Sequence, residues 1–163
     1  MIKPISITTE ILEHQKIIYV RFRGSYTEFR KNSRKLFKEL FDFATTNNLI
    51  IPDITKILTI YDDNPYITQE KDLRTSVAMT ILNSINVIEK GNICVSSISG
   101  KFGVGHFELS AKEYEEAWQY MYQEWLFKEE GKARDAVPFE LYVTEPPKNL
   151  KDKSYTDIYI PII

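Results

Sequence analysis

The chain has one cysteine, two histidines, six glycines and no apolar run near the roughly 18 residues that a membrane span requires. A lone Cys94 excludes an internal disulfide. His14 and His106 lie far apart in the sequence, so no zinc site, and no metal or cofactor at all, is expected. The opening residues, Met1 to Glu10, lack the apolar core of a signal peptide, which gives a cytoplasmic expectation without membrane contact. Gly103-Val104-Gly105 lacks the later glycine and the following basic residue of a phosphate-binding loop and reads as turn and bulge residues. Charge is also short of one sign: the net value of −2 argues against a protein that coats nucleic acid. Basic residues do gather at Arg30, Lys31, Arg34, Lys35 and Lys38, but mostly on one side of a predicted helix, where a solvated face is the plainer reading.

What the chain does have is aromatic surface. Its 163 residues, 43% hydrophobic and 27% charged, suit one globular domain spanning 1–163. Ten Tyr, nine Phe and two Trp exceed what such a core needs, and surplus aromatic surface is the material of a pocket for flat or greasy ligands.

Residues 5–12 and 16–22 read as two strands around the polar break Glu13-His14-Gln15. Ser25 and Glu28 have capping-box spacing, and Phe29, Leu36, Phe37, Leu40, Phe41 and Ala44 recur at helical intervals up to a stop at Asn47-Asn48. Strands are predicted at 56–61 and 73–81, with the turn-forming Asp62-Asp63-Asn64-Pro65 between them. After a polar connection at 83–92, strands are expected at 93–98 and 104–109, joined through 99–103. Ser110 and Glu113 make a second capping box. Tyr114, Ala117, Trp118, Met121, Tyr122 and Trp125 then form a stripe over about four helical turns, with a stop before Gly131. Strands at 139–143 and 155–162 close the chain.

Both halves thus run strand, capped helix, strand, proline-marked loop, strand. Tyr61 and Tyr142, Pro65 and Pro146, Thr75 and Thr156, Val77 and Ile158, and Ile81 and Ile162 all share an offset of 81 residues. The expectation is an α+β domain of two duplicated β-α-β-β halves, pseudo-repeats at about 1–82 and 93–163. Antiparallel sheets and two main helices would surround a central cleft.

At that offset Glu140 falls opposite Thr59, so a carboxylate breaks the repeat in mid-strand. Alternation puts Glu140 and Tyr142 on one strand face and Phe139, Leu141 and Val143 on the other. Either Glu140 faces solvent as an ordinary strand residue, or it faces an aromatic cavity, where it can attract a cation or act as a base. Trp118, Tyr122, Trp125 and Tyr114 are helix core on one reading and cavity wall on the other. His106 is a bystander or a proton shuttle.

Tyr19-Val20-Arg21-Phe22-Arg23-Gly24-Ser25-Tyr26, Ile60-Tyr61-Asp62-Asp63-Asn64-Pro65, Trp125-Leu126, Pro138-Phe139-Glu140-Leu141-Tyr142 and Thr156-Asp157-Ile158-Tyr159-Ile160-Pro161-Ile162 together resemble the GyrI-like family of small-molecule-binding domains. That family includes effector-binding domains of AraC-type and MerR-type regulators. The resemblance spans nearly the whole chain and implies an aromatic cleft with a buried glutamate at the Glu140 position. It implies ligand binding through Glu140, Tyr142, Trp118, Tyr122, Trp125 and Tyr61, with a small lipophilic or cationic aromatic molecule as partner. Two further activities follow from the family: inhibition of DNA gyrase by a protein contact, and hydrolysis of cyclopropane-type drugs with Glu140 as general base. The chain departs from the family pattern at Phe107-Glu108-Leu109-Ser110-Ala111-Lys112-Glu113-Tyr114, where a short Gly-containing turn is usual. No helix-turn-helix segment is evident, so direct contact with nucleic acid is not expected of these residues; a separate regulator protein is an alternative partner.

Overall fold

A computed structural model describes residues 2–128 and 132–163. The expected helix stop at Gly131 lies outside the described residues. The chain is α+β, with six strands in antiparallel pairings and two main helices. In order these are β1 (Ser6–Arg23), α1 (Tyr26–Thr46), β2 (Ile57–Tyr61), β3 (Arg74–Thr80), β4 (Cys94–Ser110), α2 (Tyr114–Gln119), β5 (Phe139–Tyr142) and β6 (Lys153–Pro161). No helix among the described residues is long and apolar enough to cross a membrane.

Two compact units divide the chain, one formed by Glu13–Ser99 and the other by Met1–Leu12 with Gly100–Ile163. In the first unit β3 is the central strand. It pairs with β1 from Ile17↔Thr80 to Arg23↔Arg74 and with β2 from Ile57↔Met79 to Tyr61↔Thr75. Helix α1 starts where the spacing predicts, because the Ser25 hydroxyl accepts the Glu28 N–H at 3.1 Å and satisfies a donor that the helix itself leaves unpaired. It ends at Asn47, followed by Asn48 with φ 55°. Its buried Phe29, Leu40 and Ala44 join Ile18, Val20, Val77 and Met79 in one core.

In the second unit β6 is central, paired with β4 and with β5. The β5–β6 register, Glu140↔Ile158 and Tyr142↔Thr156, repeats the β2–β3 register, Thr59↔Val77 and Tyr61↔Thr75, at the 81-residue offset. Phe107, Leu109, Ala117, Met121, Ile158 and Ile160 are its core, with Trp118 and Trp125 packed against them.

Four expectations are corrected. Residues 5–12 and 16–22 are one strand, not two; the polar break survives only as His14 at φ 60°, a single left-handed residue inside β1. Residues 93–98 and 104–109 are likewise one strand, with the irregularity confined to Gly100 at φ 107°. Glycines 103 and 105 are therefore strand residues, and what they provide is close approach. A Cβ at Gly103 would stand 1.9 Å from the Trp125 ring, and one at Gly105 2.5 Å from the Met121 sulfur. Finally, the second helix is α-helical for only six residues and continues as a π-helix over Tyr120–Leu126. Periodicity cannot distinguish a wide turn from an ordinary one when the same apolar residues face inward. The Ser110–Glu113 box forms only in its reverse sense, with Ser110 N–H donating to Glu113 Oε1 at 2.9 Å.

The turn formers Asp62 and Asp63 are ion-paired. Arg21 reaches Asp62 at 3.2 Å, the Ser76 hydroxyl donates to Asp62 at 2.7 Å, and Arg74 grips Asp63 through two nitrogens at 2.9 and 2.8 Å. The hydrogen bond from Arg74, foremost, holds the Asp63 carboxyl below its usual range. A depressed folded-state value means stability that is present above the unfolded pKa, about 3.9, and is lost as pH falls through the folded value.

Two outcomes follow from this packing. Gly103→Ala should destabilise the chain by about 1–3 kcal/mol in urea unfolding, since the added methyl meets the large, partly buried Trp125 ring; a change under about 0.5 kcal/mol would show that the Trp125 contact yields freely. Asp63→Asn should lower stability above about pH 4, where the ion pair contributes, and converge on the wild type as pH falls further, so that the acid limb is flatter. Thermal melts across pH 2 to 8 check this, and a parallel loss at every pH would refute the linkage.

Candidate functional site

Glu140 stands second in β5 and is only 4% exposed. Neither side of this strand is open at that point, because the neighbouring Phe139 is 1% exposed. The solvent-facing alternative is therefore excluded. A buried carboxylate costs several kcal/mol unless hydrogen bonds replace its water. Here the Trp118 indole N–H donates to Oε1 at 2.7 Å, and the Tyr142 hydroxyl donates to Oε2 at 2.7 Å. Both donors are neutral, so they satisfy lone pairs without cancelling the charge.

Each donor is placed by local structure. Tyr142 lies two residues beyond Glu140, and strand alternation returns it to the same face. Trp118 lies one turn after Tyr114 in α2, on the stripe that packs over β4 and β6. Its ring stacks on Tyr122 with centroids 6.1 Å apart and planes 22° from parallel. Tyr122 is 41% exposed, so the stack runs from the carboxylate outward to solvent. Trp125 follows at the far end of the π-helical segment, its ring over Gly103.

Two further residues belong to this network. The Tyr114 hydroxyl and Thr156 Oγ1 are 2.7 Å apart. Thr156 is fully buried and is the cross-strand partner of Tyr142. Burial pushes the Tyr114 phenol up to about 12; the Thr156 hydrogen bond opposes this, and the negative charge of Glu140 adds to it. The phenol is thus a neutral hydroxyl at physiological pH. Both residues were visible in the sequence, Tyr114 as the helix residue four before Trp118 and Thr156 as the repeat partner of Thr75. Nothing in their spacing says that they meet.

Of the six expected site residues the structure joins Glu140, Tyr142 and Trp118 by hydrogen bonds and Tyr122 by stacking; Trp125 is on the same helical segment. Tyr61 belongs to the other unit, half-buried, with its ring edge-on to Tyr26 at 5.6 Å. Among the described residues no group of three or more His, Cys, Asp or Glu is arranged to hold a metal ion.

The site is thus a buried carboxylate on a strand of an α+β fold, beneath an aromatic helix. The chain belongs to the GyrI-like small molecule binding domain family, whose model matches residues 6–163. No curated protein matches it in sequence. Among solved structures it is similar to EcmrR in an EcmrR–DNA complex, with TM-score 0.75 and 15% identity over 96% of this chain and 57% of that one. The chain therefore spans little more than half of EcmrR. It is also similar to a hydrolase from Listeria innocua (TM-score 0.66, 9% identity, covering 99% and 93%). SAV2435 bound to tetraphenylphosphonium is a third (TM-score 0.62, 14% identity, covering 98% and 94%). At these identities the likeness is one of fold.

Removing one donor tests the network. Trp118→Phe keeps most of the ring and deletes the N–H, leaving a buried carboxylate short of a partner, and should cost about 1–3 kcal/mol in chemical denaturation. In the Glu140→Gln background the same change should cost markedly less, since no charge is then left under-solvated. Equal costs in both backgrounds would mean that the indole contributes packing alone.

Proposed function

We propose that residues 1–163 act as one domain of two related halves that binds small lipophilic or aromatic cations, with Glu140 as the anionic anchor. The observation that carries this reading is a carboxylate 4% exposed that accepts from the Trp118 indole and the Tyr142 hydroxyl at the inner end of an aromatic stack reaching solvent. A ligand cation offers that charge a counter-ion, and the faces of Trp118 and Tyr122 offer an aromatic surface on which a cation is further stabilised. A ligand with a delocalised or quaternary charge suits the site best, because it loses little hydration on entering an apolar setting. That SAV2435 is known with tetraphenylphosphonium bound makes this cation the natural probe. The setting we assign is cytoplasmic.

Tetraphenylphosphonium should change tryptophan fluorescence on titration, and Glu140→Gln should weaken binding by about 1–3 kcal/mol, roughly tenfold or more. Unaltered affinity in that variant removes the anchor role. Two other activities implied by the family separate from this one in the same experiment. Hydrolysis of an electrophilic drug with Glu140 as base predicts turnover that Glu140→Gln abolishes while ligand still binds. Association with gyrase or with a separate regulator through the charged outer face predicts salt-sensitive binding that survives Glu140→Gln.

A further inference from the structure

His106 was a lone histidine in the sequence, but it is not lone in the fold. In the unit containing Glu140 it stands directly opposite Asp157 in the β4–β6 ladder, and its Nδ1 lies 2.8 Å from Asp157 Oδ1. Its other ring nitrogen, Nε2, lies 2.8 Å from the hydroxyl oxygen of Thr8 on β1. Three strands distant in sequence thus align hydroxyl, imidazole and carboxylate in one row. The order matters chemically. With Asp157 accepting from Nδ1–H, the lone pair of the neutral ring is at Nε2, directed at the Thr8 oxygen. This is how a nucleophilic hydroxyl, a base and an orienting acid are arranged, whatever fold carries them.

The surroundings are consistent with that polarity. Thr8 is exposed, the His106 side chain is 29% exposed and the Asp157 side chain only 16%, so the row runs from solvent inward, with the hydroxyl at its accessible end. The Thr8 hydroxyl can also donate to Glu10 Oε1 at 3.4 Å, a longer contact than the 2.8 Å to His106 Nε2. Tyr159, which is coupled to Asp157 and Glu10, is pushed up to about 12, by burial first and then by the charges of those two residues. It is therefore neutral beside them. A merely structural polar ladder needs no free lone pair aimed at its most exposed member.

We propose that Thr8, His106 and Asp157 form a second reactive site, independent of Glu140, in which the Thr8 hydroxyl is acylated by activated esters. The Thr8 oxygen forms a bond to the acyl carbon while its proton passes to His106 Nε2. The bond from that carbon to the alkoxide or phenolate oxygen then breaks, and the proton leaves with the departing group. Water, deprotonated by the same nitrogen, afterwards attacks the acyl-threonine, releasing the acid and restoring the hydroxyl. Because Thr8 is exposed, charge on the tetrahedral intermediate is solvated by water rather than held in a buried oxyanion site. The substrate class is accordingly restricted to acyl donors with good leaving groups, such as aryl esters.

The test uses p-nitrophenyl acetate with the whole chain, following nitrophenolate release and mapping the acetyl group by peptide mass spectrometry. Acetyl on the peptide carrying Thr8 is expected. Thr8→Val should remove that adduct and slow release by about a hundredfold or more, the low end of what a positioned base contributes. Thr8→Ser should keep both signals, and His106→Gln should lose the adduct although the hydroxyl remains. Thr8→Val changes one exposed side chain at constant shape, so it decides the matter alone should His106→Gln fail to fold. Acetyl found only on lysine or tyrosine, or equal release from the wild type and Thr8→Val, overturns the proposal.

Discussion

The hydrogen bond between the Trp118 indole and Glu140 Oε1 joins the two kinds of structure in its unit. Glu140 is fixed by the strand ladder, and Trp118 by a helix that must lie close to that ladder for the contact to exist. Closeness is bought on the opposite strand, where Gly103 and Gly105 leave room for the Trp125 ring and the Met121 sulfur. A side chain at Gly103 would force the Trp125 ring to shift, and one at Gly105 the Met121 sulfur or the Phe107 ring. The buried charge is therefore stabilised by residues that never touch it.

The π-helical segment fits the same requirement. Seven residues, Tyr120–Leu126, make i→i+5 turns that are wider and poorer in packing than α-helical ones, and such turns recur at functional sites. Between Trp118, which serves the carboxylate, and Trp125, which sits over Gly103, the helix must present two indoles to a twisted sheet. An ordinary α-helix fixes the rise and rotation between them; a widened turn relaxes that constraint. The tight α1, which buries Phe29, Leu40 and Ala44 in the core of its unit and presents no indole, needs no such device.

This contrast also explains which features the sequence disclosed. The start of α1 was legible because Ser25 acts within three residues of its partner, and the α+β class because apolar periods of two and about 3.6 alternate along the chain. The faces of β5 were legible because alternation is a local rule. What spacing could not supply was whether both faces of that strand are covered, and hence whether Glu140 is buried; the family resemblance, rather than periodicity, pointed there. Nor could it show that β1 and β4 continue through His14 and Gly100, since one left-handed residue looks the same in sequence whether it ends a strand or bends it. Contacts such as Tyr114 with Thr156, or Thr8 with His106, join residues 42 and 98 positions apart and carry no local signature.

The repeat frame shows where the chemistry was concentrated. At the 81-residue offset Thr75 corresponds to Thr156 and Thr59 to Glu140, in identical strand register. Yet the Thr75 hydroxyl is fully buried without a hydrogen-bond partner among the described residues, whereas Thr156 has the Tyr114 hydroxyl. Two threonines at matching register positions thus differ in whether the hydroxyl is satisfied, and Glu140 places a buried carboxylate where the other ladder has the buried Thr59. An orphaned hydroxyl costs about 1–3 kcal/mol. Thr75 carries that cost in one unit, while Thr156 in the other is relieved of it by Tyr114.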